Sequence, residues 1–157
     1  MKPGALGLGL LLAAISCATT APGPMSQETL AKHIEEIAGN ARTSSNVVKF
    51  QYRGVSIACV SDVTHDRMRL IAPIAESESL EASQLEILLT ANFHTTLDAR
   101  YALSNGIVYA AFLHPLSALD RAQLESAMRQ VAALARNFGS SYSSDELIYV
   151  VEPGEGA

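Results

Sequence analysis

Residues 97–113, LDARYALSNGIVYAAFL, decide the fold. Leu97, Ala99, Tyr101 and Leu103 alternate with their neighbours, and Ile107, Tyr109, Ala111 and Leu113 repeat the pattern after a break. A period of two belongs to half-buried strands. Asn105-Gly106, at the break, supplies the two positive-φ residues of a tight hairpin turn. Strands joined so closely run antiparallel.

On the N-terminal side the period changes to that of a helix. Leu85, Leu88, Leu89, Asn92 and Phe93 recur at i, i+3, i+4, i+7 and i+8 and mark one face of a second helix. Asn92 is the polar member of that stripe. A buried amide needs partners, so Asn92 is expected to tie the helix to nearby backbone. Further back, Met68, Leu70, Ala72 and Ile74 alternate as a third strand, with Pro73 near its end. Proline donates no ladder hydrogen bond, so the strand is expected to end there or lie at an edge. Val48, Phe50 and Tyr52, then Val55, Ile57 and Cys59, form two more strands around Arg53-Gly54. Cys59 reads as a small buried hydrophobe on the second of them. A first helix over residues 27–38 runs from Ser26 as N-cap to Gly39 as stop.

On the C-terminal side, Asp120 with Gln123 forms a capping box for a last helix. Its apolar stripe is Leu124, Ala127, Met128, Val131, Leu134, Ala135 and Phe138, and Gly139 ends it. The expectation is an α+β domain, an antiparallel five-stranded sheet with helices in the order α-β-β-β-α-β-β-α over residues 26–139. Residues 140–157 are read as a loose tail with a short strand at 147–151.

The beginning of the chain speaks of location. Lys2 precedes an uncharged apolar run, Ala5 to Ile15, and Ala14-Ile15-Ser16 lead into Cys17. This resembles the lipobox of a bacterial lipoprotein signal peptide. The resemblance implies removal of residues 1–16, acyl chains on Cys17 and attachment to a membrane of the cell envelope. Ordinary secretory cleavage after Ala18 or Ala21 is the alternative. The run is too short for a span of about 20 residues. Ala18 follows the cysteine in place of an inner-membrane retention aspartate, which favours the outer membrane or the periplasmic face. Residues 17–25, small and rich in proline and glycine, read as a tether.

The block Leu88-Leu89-Thr90-Ala91-Asn92-Phe93, then Leu97 to Leu103, Asn105-Gly106 and His114-Pro115-Leu116 before a long amphipathic helix, is similar to the type III secretion chaperone-like fold. More narrowly it resembles the Tir-chaperone and YbjN-like group. The resemblance implies a binding module without catalytic machinery, commonly a homodimer, with an unnamed protein partner. It puts Leu85, Leu88, Leu89 and Phe93 on the dimer or partner helix.

Composition narrows the alternatives. The net charge of −5 becomes −6 once Lys2 leaves with the leader, and clustered basic residues suited to nucleic acid are lacking. His94 with Asp98 is the one close histidine–carboxylate pair, and a small periplasmic hydrolase using it is the rival reading. His94 and Asp98 straddle a helix end and a strand start, and no Gly-x-Ser-x-Gly elbow is present. No catalytic residue, metal ligand or cofactor is assigned. Glu35-Glu36 and Glu76, Glu78, Glu81 and Glu86 read as solvated surface, and His65-Asp66 as a solvated turn. A purely structural envelope protein is the third reading.

Overall fold

The computed structural model describes residues 23–144. The leader, Cys17, most of the tether and the strand expected at 147–151 lie outside them. Within them the order is α1 (Gln27–Ala38), β1 (Arg42–Ser44), β2 (Val47–Tyr52), β3 (Val55–Asp62), β4 (Arg67–Glu76), a 3-10 turn at Ser77–Ser79, α2 (Ala82–His94), β5 (Arg100–Ser104), β6 (Ile107–His114) and α3 (Arg121–Arg136).

The caps explain the helix limits. Ser26 Oγ accepts the Thr29 N–H, and Gly39, at φ 71°, closes α1 in the left-handed region that glycine adopts freely. Asp120 and Gln123 exchange side-chain and backbone hydrogen bonds in the expected capping box. Asn105 (φ 48°) and Gly106 (φ 77°) make the hairpin turn between β5 and β6.

The sheet is antiparallel throughout, in the order β1-β2-β3-β4-β6-β5. It has six strands where five were expected. The extra one, β1, is three residues long and fully exposed. Without a buried side, Arg42-Thr43-Ser44 leaves no hydrophobic alternation in the sequence. The position of Pro73 is a second correction. Its strand is central and continues to Glu76, pairing with β6 through a register shift between Pro73 and Ala75. The ladder to β3, however, stops at Ile71 opposite Ala58, so the missing N–H falls where β4 is locally an edge.

One sheet face carries the core. Val48, Cys59, Leu70 and Phe112 form a row across four strands, and Met68, Ala72, Val108 and Ala110 lie beside it, all buried. Helix α3 covers β4 and β6 with Leu124, Met128, Val131 and Leu134, none of them exposed, while α1 lies over β2. Met25, placed in the tether by the sequence reading, is buried in this core. The packed body also extends past residue 139. The Tyr142 ring meets Tyr101 and Phe138 edge-on at 6.2 and 5.9 Å, and Ser144 is fully buried.

Candidate functional site

Helix α2 stands apart from the other two. It packs on edge strand β5, and its inward side is short: Leu88 and Ala91 are its buried residues. Between them and β5 lies Asn92. Its Nδ2 donates to the Tyr101 carbonyl at 3.0 Å and its Oδ1 accepts the Tyr101 N–H at 2.7 Å. The carboxamide thus occupies the outward-facing backbone pair of β5, where a further strand would otherwise bind, and edge groups left open in this way are what recruit other chains. The local tie expected of Asn92 is present, and it reaches a sheet edge.

The apolar stripe of α2 is split. Leu88 is buried and Leu85 half-buried, whereas Leu89 is 71% and Phe93 75% exposed. Leu89 and Phe93 are one turn apart and form an apolar flank facing solvent. Ile87, 44% exposed, lies on the opposite flank above a cavity of about 470 Å³ lined also by Glu86, Thr90, His94 and Tyr142.

Around α2 the start of β5 is held firmly. Gln130 of α3 is buried, and its Oε1 accepts the N–H groups of Asp98 and Ala99 at 2.9 and 3.0 Å. Tyr101 donates its hydroxyl to the Leu134 carbonyl at 3.0 Å, and burial pushes its pKa up. Ser144 Oγ accepts the Leu97 N–H at 2.7 Å.

The structure does not bring His94 and Asp98 to one place. His94 lines the cavity beside α2, whereas Asp98 borders a different one, of about 290 Å³, with His114, Gln123, Ser126 and Gln130. Asp98 there accepts a hydrogen bond of 3.4 Å from Gln130. Among the described residues no group of three or more histidine, cysteine or carboxylate side chains is arranged to hold a metal ion.

The other sheet face was not anticipated as a feature. Following cross-strand partners, one row reads Arg42, Lys49, Ala58, Ile71, Ala111, Arg100. Arg67 and Arg69 face the same way, and all five basic residues are exposed. Among the described residues no helix covers this side. Among the described residues Asp62 and Glu76 are its carboxylates, both at strand ends, and Asp62 is engaged by His65 at 2.7 Å. That contact, with the His65 backbone N–H, holds the Asp62 carboxyl below its usual range.

No protein-family model matches the chain, and no curated protein does. Solved structures do. A chain of the HopA1–SchA chaperone–effector complex matches with TM-score 0.54 and 14% identity over 69% of this chain and 88% of its own. A chain of the ExsC–ExsE complex matches with TM-score 0.56 and 13% identity over 73% and 96%. The structure of the Yersinia pestis type III secretion chaperone SycH with a stable fragment of YscM2 matches with TM-score 0.55 and 14% identity over 73% and 100%. At these identities the likeness is one of fold: an antiparallel α+β domain of the secretion-chaperone kind.

Proposed function

We propose that the chain is a non-catalytic lipoprotein of the cell envelope whose α+β domain binds protein through α2, with pairing to a second copy as one form of that contact. The observation that carries this reading is the solvent-facing pair Leu89 and Phe93 on a helix whose other side is mounted on a sheet edge. Covering them would remove two large apolar side chains per protomer from water. Each is worth about 1.5–3 kcal/mol when fully buried, enough to make association observable. The fold shared with a chain of a chaperone–effector complex and with a secretion chaperone bound to a protein fragment supports a binding role. The leader and Cys17 supply the address, with acyl chains on Cys17 as the anchor.

The test is the double substitution Leu89→Glu with Phe93→Glu. Both positions are exposed, so circular dichroism should be unchanged. Light scattering is expected to show a drop from dimer to monomer, or, for a monomeric parent, capture from detergent-solubilised membranes should lose its specific partner. Unchanged mass together with unchanged capture would reject α2 as the binding surface. Mass spectrometry of the membrane fraction should find a lipid-modified Cys17 at the N-terminus, and a soluble protein with its leader intact would reject the anchor.

A further inference from the structure

The uncovered sheet face has a charge pattern that the whole chain lacks. Against a net charge of −5, it gathers five of the eleven lysines and arginines, Arg42, Lys49, Arg67, Arg69 and Arg100. Its central row is ordered: Arg100 at one end, Ala111, Ile71 and Ala58 in the middle, and Lys49 with Arg42 at the other end. A groove of about 660 Å³ opens at the Lys49 end, lined by Arg42, Lys49, Gln51, Ser56, Ala58 and Pro73.

The last thirteen residues, 145–157, read DELIYVVEPGEGA, with four carboxylates and no cation. They run from an acidic pair, Asp145-Glu146, through five apolar residues to Glu152. From Arg100 to Lys49 is four strand steps of about 4.8 Å, roughly 19 Å. From Glu146 to Glu152 is six residues, roughly 20 Å of extended chain at about 3.3 Å each. The two patterns match in sign, order and length. The point of departure fits as well. Ser144 is held by the Leu97 N–H, and the Arg100 guanidinium bonds to Thr96 Oγ1 and to the Leu97 carbonyl, so the last described residue sits beside Arg100.

We infer that residues 145–152 of this chain lie extended across the open sheet face, with Glu146 at Arg100, the apolar run over Ala111, Ile71 and Ala58, and Glu152 in the groove at Lys49 and Arg42. The contact covers the basic face with the chain's own segment. It is independent of α2, so its failure leaves the protein-binding reading intact.

A zero-length carbodiimide cross-link on the full chain tests this, because it joins a carboxylate to a lysine amine only when the two touch. Lys49 is the one lysine on the face among the described residues, and Lys32 on α1, with 72% of its side chain exposed, is the internal reference. Mass spectrometry is expected to find Glu152 or Glu155 joined to Lys49 within single chains, several-fold above any link to Lys32. The link should be lost near about 1 M salt, where charges are screened beyond roughly 3 Å. Replacing all five residues 147–151 by serine keeps every carboxylate and changes no residue of 23–144, and should reduce the Lys49 link to the Lys32 level. Equal coupling to both lysines, links only between chains, or indifference to the serine substitution would each overturn the assignment.

Discussion

Replacing Asn92 by alanine should destabilise the domain by about 2 kcal/mol, although Asn92 is only half-buried and belongs to no core cluster. The substitution removes both hydrogen bonds to Tyr101, at 3.0 and 2.7 Å, and leaves the N–H and carbonyl of an edge strand without their partners. A net hydrogen bond is worth about 0.5–1.5 kcal/mol, and a buried group left unpaired costs about 1–3 kcal/mol. Water can reach part of this site, which argues for the lower half of the range for each group. Alanine is also the better helix former, by several tenths of a kcal/mol, which offsets a little. The sum is about 2 kcal/mol. With a urea slope of about 1–3 kcal/mol/M for a domain of this size, the unfolding midpoint should fall by about 1 M.

The assay is urea unfolding followed by circular dichroism, with Thr90→Ala as the reference. Thr90 is exposed on the same helix, so its replacement reports helix propensity alone. Asn92→Asp sharpens the comparison. Its carboxylate still accepts the Tyr101 N–H but now faces the Tyr101 carbonyl with a second oxygen, so it should be no better than alanine at neutral pH. If Asn92→Ala falls within about 0.5 kcal/mol of wild type, or cannot be told from Thr90→Ala, the amide is ornamental and β5 is held by something else.

Two further outcomes follow from titratable groups. Burial pushes the Cys59 thiol up to about 12, so in protein carrying Cys17→Ser a maleimide at pH 8 should label it only as fast as the domain unfolds; prompt labelling would show an open site. The Asp66 carboxyl accepts from Ser117 Oγ and the Ser117 N–H, both at 2.7 Å, and these bonds hold it below its usual range. A depressed carboxylate contributes stability that is present above about pH 4 and lost as the pH falls through the lower folded value, so Asp66→Asn should flatten the acid limb of a stability–pH profile. Identical acid limbs would contradict it.

What could be read before the structure were the features whose signal is local. The Asn105-Gly106 hairpin, the Ser26 and Gly39 limits of α1 and the Asp120–Gln123 box each lie within a few residues, and each is where expected. What was missed depends on distant partners. Asp66 looked like a solvated turn former because Ser117 is fifty-one residues away. Residues 140–144 looked like tail because Tyr142 finds its neighbours in Tyr101 and Phe138. The basic sheet face was invisible because its five cations are spread over four strands and only the register brings them together. Periodicity also overreached on α2: five residues at helical spacing define a face, yet a stripe that wide exceeds what one edge strand can bury. Leu88 and Asn92 took the inward positions, and Leu89 and Phe93 were left outside.

That division gives α2 its place in the proposed function. The β5 edge would otherwise present its Tyr101 backbone groups to any extended chain, and the sheet would grow by backbone pairing without regard to side chains. Asn92 closes that pair with one amide, and the helix carrying it turns Leu89 and Phe93 toward solvent instead. In the proposed function a backbone template is thereby exchanged for an apolar surface, which would select partners by shape and hydrophobicity and so discriminate better than a bare strand edge. The far edge has no such cover. There β1 is three residues long and carries Arg42, and shortness with charge is the other common way of keeping a sheet edge unpaired. The two edges are therefore protected by different means, and in the proposed function the cover at β5 is also the docking surface.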